Sequence, residues 1–191
     1  MSCRYKFGRP NRREGRPDKM NASVQPISLA EFLAWERLQP QRYEFDGTQP
    51  VPTSGGSSAH ARLTARLIAT IGARLPSPHA VFGSELRVIG DKRMRYPDAT
   101  IVRADEGEPA KPVFVFEVAS AATALTDRRV KTAEYRAIPT LQAYIILSQD
   151  FPDITLMRRS ADWAEDSTEG YSAVIDLPEI DLKIPLQELY W

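Results

Sequence analysis

The sequence predicts an α/β or α+β fold built on a mixed sheet, and three observations carry that expectation. Residues 113–119 are apolar except for Glu117, as in a central strand covered on both faces. Leu63, Leu67, Ile71 and Leu75 recur every fourth residue with Ile68 beside them, the spacing of an amphipathic helix. Along the chain the candidate elements run helix, hairpin, helix, three strands, helix and further strands, without internal repeats, which fits a sheet flanked by helices.

The N-terminal stretch stands apart. Arg4, Lys6, Arg9, Arg12, Arg13, Arg16 and Lys19 accompany prolines and glycines with no apolar periodicity. Residues 1–22 are therefore expected to be a disordered basic tail, or an extension upstream of a natural start at Met20; a basic arm on phosphates is the other reading. One ordered domain is expected over residues 23–191. Ser28 and Glu31 form a capping box, with Ile27 and Phe32 placed as a hydrophobic staple, so a helix should start here, run to about Leu38 and stop before Pro40. Asp46 and Gly47 then mark the turn of a hairpin reaching Val51, and a Gly/Ser loop follows over 52–58.

The Leu63 helix should close at Pro76 and Pro78. Strands are expected over 81–89, 96–102 and 113–119, the first two separated by a polar turn at Asp91, Lys92 and Arg93. Thr126 should cap a helix from Asp127 to about Ala137, ended by Pro139. A buried strand over 143–147, its hairpin partner over 154–158, a strand over 171–175 and a short terminal helix over 185–189 complete the pattern.

Composition limits the function classes. With 25 Lys plus Arg against 25 Asp plus Glu, the formal net charge is zero, so bulk charge cannot drive nucleic-acid binding, although a local basic groove can. The lone cysteine, Cys3, allows no intrachain disulfide and suits a reducing cytoplasm. No apolar run is long enough to span a bilayer, and no apolar segment of a secretory signal follows the basic N-terminus. Gly55, Gly56, Ser57 and Ser58 lack the lysine of a phosphate-binding P-loop, Ser120 has no nucleophile-elbow context, and no Cys/His cluster suits zinc. Hydrolysis by metal-activated water is the simplest chemistry left.

Two carboxylates suit it. Strand alternation puts Glu117 on one face with Val113, Val115 and Ala119, opposite Phe114, Phe116 and Val118. A carboxylate in such a run must be paired with a cation, either an arginine across the strands or a metal. Asp98 follows Pro97, a residue that marks the start or edge of a strand. On neighbouring strands Asp98 and Glu117 could reach one hard cation such as Mg²⁺, with the Val118 carbonyl as a third oxygen.

These residues resemble a known family. Pro97 and Asp98, then Glu117, Val118 and Ala119, look like the Pro-Asp…(Asp/Glu)-X-Lys signature of the restriction-endonuclease-like superfamily. The wider order is similar to the Uma-type restriction endonuclease family over roughly residues 25–190. It comprises Tyr43 and Glu44 with Asp46 and Gly47, the Ser/Gly loop leading to His60, Ser120, Asp127, Lys131, Tyr135 and Tyr144. The resemblance implies a restriction-endonuclease-like mixed β-sheet flanked by helices and a Mg²⁺- or Mn²⁺-dependent endonuclease acting on nucleic acid, DNA above all, as a homodimer by analogy. It places Asp98, Glu117 and Val118 at the metal and Glu44 as an acidic residue completing the site. Ala119 stands where the signature has its lysine; Lys131, four residues after Asp127 on the next helix, is the substitute the resemblance implies, and an exposed surface lysine is the alternative. His60, Asp127 and Arg128 are candidates for phosphate or substrate contacts, as are Arg62, Arg66, Arg93, Arg95 and Arg129. The rivals are an inactive nuclease-fold module that binds nucleic acid or a protein, a phosphoesterase or nuclease acting on a small or RNA substrate, and a structural oligomer. The inactive module requires the Lys131 amine to point to solvent.

Overall fold

The structure, a computed structural model, describes residues 26–53, 55–106, 111–120 and 127–190; the side chains of Glu106, Asp127 and Arg128 fall outside this description. The expected basic tail, Cys3 and the expected Thr126 cap lie outside the described residues.

Helix α1 (Leu29–Glu36) begins at the capping box: Ser28 Oγ accepts from the Glu31 N–H, and the Glu31 carboxylate accepts from the Ser28 N–H at 2.7 Å. Strands β1 (Tyr43–Phe45) and β2 (Pro50–Pro52) pair antiparallel as the predicted hairpin. At its tip Gly47 has a φ of +98°, a left-handed conformation that favours glycine. Phe32 stacks on Phe45 with ring centroids 4.8 Å apart, fixing α1 to the hairpin. Helix α2 (Ser58–Gly72) buries Leu63, Leu67 and Ile71, the predicted stripe.

The strand expected over 81–89 is split, and the one expected over 96–102 begins only at Ala99, after an unexpected short strand at Met94–Arg95. Strand β3 (His79–Gly83) ends in a turn closed by the Leu86 N–H on the Gly83 carbonyl, and β4 (Val88–Ile89) belongs to another sheet. Strand β5 (Met94–Arg95) pairs with β4 and β1; Pro97 and Asp98 separate it from β6 (Ala99–Arg103), which pairs with β3. The 81–89 run thus passes from one sheet to the other, a change that hydrophobic pattern does not encode.

Strand β7 (Pro112–Ala119) is buried throughout and lies between β6 and β8 (Ala143–Ser148). The β7–β8 pair is parallel, so it needs a crossover. A π-helical turn over Asp127–Lys131 and helix α3 (Thr132–Arg136) supply it, in place of one continuous α-helix. Strands β9 (Asp153–Arg158) and β10 (Glu165–Glu169) extend the sheet antiparallel, giving the order β10-β9-β8-β7-β6-β3. The expected 171–175 strand is shifted to β11 (Val174–Leu177), which pairs with β12 (Leu182–Pro185); a 3₁₀ turn over Leu186–Glu188 stands for the terminal helix.

One face of the large sheet packs Phe114, Phe116 and Val118 against α2 and the β11–β12 hairpin. The other packs Val115 and Ala119 against Tyr135, Tyr144 and Met157. From Phe114 to Ala119 this alternation is the predicted one; Val113, expected on the face of Val115, packs instead in the cluster of Phe114, where the β6–β7 register shifts. The mixed sheet flanked by helices agrees with the predicted fold class. Among the described residues no helix is long and apolar enough to cross a membrane.

A buried charge network ties α3 to the small sheet. Arg95, 9% exposed, donates to Glu44 at 2.9 Å and to both oxygens of Glu134 at 2.8 and 2.9 Å. Burial alone would lower the Arg95 pKa; the charges of Glu134 and Glu44 outweigh it and raise it. Arg93 also pairs with Glu134. Arg95 is therefore committed to the framework, while Arg93, whose side chain is 40% exposed, meets Glu134 from the surface. Arg95→Met would remove the cation shared by Glu44 and Glu134, leaving the first with the Tyr96 N–H and the second with Arg93, and is expected to cost up to about 3 kcal/mol of unfolding free energy, read from the urea midpoint.

Candidate active site

The site forms where β6 begins and β7 ends. In β7 the carbonyls of Val113 and Ala119 accept from Gln142 and Gln149, flanking β8 on either side. Alternation then turns the peptide groups of Phe116 and Val118 towards β6. Ala99 lies opposite Phe116, so Pro97 lies opposite Val118. Proline has no N–H to give the Val118 carbonyl. Asp98 Oδ2 takes the Val118 N–H instead, at 2.7 Å. The Pro-Asp pair thus stops the ladder, holds a carboxylate against the end of β7 and keeps a backbone carbonyl off the sheet. The same Oδ2 is 3.1 Å from His60 Nε2, on the first turn of α2. That contact is the main cause of a raised His60 pKa; burial works against it, and the charges of Asp98 and Glu117 and the Val118 backbone add to it.

Glu117 is 6% exposed, and it meets a lysine and a phenol where an arginine across the strands was the alternative. Its Oε1 accepts from Lys131 Nζ and from the Tyr135 hydroxyl, both at 2.9 Å. Burial, and then the negative charge of Glu117, push the Tyr135 phenol well above its ordinary pKa, so it remains a donor. Lys131 closes the π-helical turn, and the crossover returns it to the end of the strand it left. Its amine lies against Glu117 with the side chain 17% exposed, so it is not a solvent-pointing surface lysine.

These groups line a cleft of about 550 Å³ with Glu44, Tyr96, Ser57, Ser120 and Gln149. Six of the eight predicted site residues reach it: Asp98, Glu117, Val118, Lys131, His60 and Glu44. Glu44 enters with both oxygens engaged, one by Arg95 and one by the Tyr96 N–H at 3.1 Å. Asp127 and Arg128 open the π-helical turn, and their side chains lie outside the described residues. Sequence reasoning missed Gln149 and Ser57, joined at 3.1 Å across the cleft. The one available signal for Gln149 was position, directly after a strand running parallel to the one that carries Glu117. Ser57 caps α2, whose N-terminal peptide groups give the cleft a partial positive charge.

Gly56 is set by close approach. A Cβ there would lie 2.5 Å from His60 Nδ1. Gly56→Ala is expected to push the imidazole off Asp98, read as movement of the His60 ring ¹⁵N shifts towards those of a solvated histidine, with little change in Tm.

A mixed sheet that gathers two carboxylates, a displaced lysine and a cleft at a strand end is that of a nuclease-fold protein of restriction-endonuclease type. The chain belongs to the Uma2 family, described as "Putative restriction endonuclease", whose pattern it matches over residues 29–187. It is 28% identical over 138 residues to the "Uncharacterized protein sll1609" of Synechocystis sp., covering 67% of this chain and 78% of that one. It is 24% identical over 180 residues to "Uncharacterized protein slr1290" of the same organism, covering 89% and 94%. Its fold is similar to the crystal structure of "a putative nuclease belonging to DUF820" from Anabaena variabilis, with a TM-score of 0.68 and 16% identity, covering 86% of this chain and 97% of that one.

Proposed function

We propose that this protein is a divalent-metal-dependent endonuclease that hydrolyses phosphodiester bonds in DNA. The observation that carries the reading is the 2.9 Å contact of Lys131 with Glu117, which puts an amine beside the carboxylate despite Ala119. The same contact favours cutting over an inactive binding module, which needed that amine in solvent.

The donor set fits Mg²⁺ or Mn²⁺. Asp98, Glu117 and the Val118 carbonyl offer hard oxygens only. Among the described residues no three Cys, His, Asp or Glu side chains gather into a metal cluster, so a backbone oxygen is the natural third donor. When bound, such an ion activates a water and neutralises charge on the phosphate. Tyr135 and Lys131 fix the Glu117 carboxylate in place. The Lys131 ammonium also stabilises the negative charge that builds on the phosphate oxygens. His60 and the α2 N-terminus face the same cleft and favour an anionic group there. Glu44 lines the same cleft with its oxygens taken by Arg95 and the Tyr96 N–H. Cutting both strands of a duplex requires two such sites, which a homodimer would supply.

The test is a panel of plasmid, single-stranded DNA and RNA with Mg²⁺, Mn²⁺ or EDTA. DNA cleavage that appears with metal and stops with EDTA is expected; cleavage of RNA alone would move the protein to another substrate class.

A further inference from the structure

Gln149 borders more than the cleft. It also lines a second groove of about 250 Å³, so the two adjoin at its side chain. Arg62 and Arg66, one turn apart on α2, form one wall, and Phe151 and Tyr171 stand along the groove. Both rings are 58% exposed, unusual for side chains of this size. Phe151 lies in the loop after β8, and Tyr171 in the loop before β11. Arg66 donates to the Leu189 carbonyl at 3.3 Å, and Arg62 is exposed. Asp150 also lines the groove and accepts from Gln149 Nε2 at 3.2 Å.

Exposed aromatic rings and arginines lining one groove beside the candidate phosphodiester site match one ligand. An unpaired strand presents bases to stack and phosphates to pair, whereas in a duplex the bases are already stacked on each other. We infer that this groove holds an unpaired DNA strand next to the scissile phosphate, with bases stacked on Phe151 and Tyr171 and phosphates against Arg62 and Arg66. The inference rests on the endonuclease reading and narrows it to single-stranded, frayed or flapped DNA. It also reconciles DNA binding with zero net charge, because stacking does not need a large basic surface.

The test uses the full chain and its F151A/Y171A double variant. Anisotropy of a fluorescent 12-nucleotide single strand, in Ca²⁺ to suppress cleavage, should show binding weakened at least about tenfold in the variant, because each stacked base contributes that order. Arg62→Ala should lower the salt slope of log K by roughly 0.7, the value for one phosphate contact on a single strand. A minimal phosphodiester, bis(p-nitrophenyl) phosphate, reaches only the first cleft and should be hydrolysed at equal rates by both proteins. Equal oligonucleotide binding by the variant, tighter binding of a blunt duplex or of RNA, or a change of oligomeric state in F151A/Y171A by light scattering would each overturn the inference. Loss of bis(p-nitrophenyl) phosphate hydrolysis in wild type, with single-strand binding intact, would instead count against the endonuclease reading alone.

Discussion

Asp98→Asn and Glu117→Gln are each expected to lower metal-dependent cleavage by at least about 10³-fold while leaving the fold intact. The magnitude follows from charge stabilisation of several kcal/mol by a bound ion, at about 1.4 kcal/mol per tenfold in rate. The amides are chosen because each keeps an oxygen where the structure needs one. An asparagine oxygen in place of the Asp98 carboxylate can still accept the Val118 N–H, bonded at 2.7 Å in the parent. A glutamine oxygen in place of the Glu117 carboxylate can still accept from Tyr135 and Lys131. Asp98→Ala would leave the buried Val118 N–H without its partner, at a cost of about 1–3 kcal/mol, and would confuse lost chemistry with lost stability. Calorimetric titration with Mg²⁺ and Mn²⁺ gives the second readout, and binding should weaken in both variants. Wild-type cleavage rates in both would remove the basis for a metal site here.

Lys131→Met should lower the cleavage rate by about 10²–10³-fold, the usual loss when one preorganised charge on a transition state is removed. Metal binding should survive, because the lysine is not an ion ligand, and that survival separates it from the carboxylate variants. The obvious rescue, adding Ala119→Lys to restore the superfamily signature, should fail. Ala119 is 3% exposed in the cluster containing Val115, Tyr135, Tyr144 and Met157, so a lysine stem there must displace packed side chains. Full activity in Lys131→Met, or restored activity in the pair, would show that the amine does not work from the crossover.

The expectation at position 131 shows what the sequence can and cannot carry. Glu117 was legible because a carboxylate in an apolar strand conflicts with its neighbours. The capping box and the α2 stripe were legible because they are local patterns with a fixed period. The split of 81–89 and the short strand Met94–Arg95 were not, since the chain changes sheets after Gly83 and again at Pro97 without breaking its apolar pattern. Strand β10 was invisible for the opposite reason: Glu165, Asp166, Ser167, Thr168 and Glu169 are all exposed, and pairing with β9, with a hydroxyl contact between Ser167 and Thr155, makes them a strand. Arg95 looked like any surface arginine, and only the folded chain brings Glu44 and Glu134 to it from 51 and 39 residues away. Gln149 carried no chemical signal, and its importance comes from where β8 stops.

The interruption at Pro97 has a consequence for how this protein can vary. Position 118 answers to two masters that do not compete: its side chain, 5% exposed, belongs to the core under α2, while its carbonyl belongs to the cleft. Every amino acid carries that carbonyl. Val118 can therefore be replaced by Ile or Leu to suit its apolar neighbours without altering the oxygen that the proposed ion would use. At Pro97 the freedom is reversed, because any other residue brings an N–H that can re-form the ladder and claim that oxygen for the sheet. Tolerance at the proposed ligand and intolerance at Pro97 is the mutational signature that this geometry would leave.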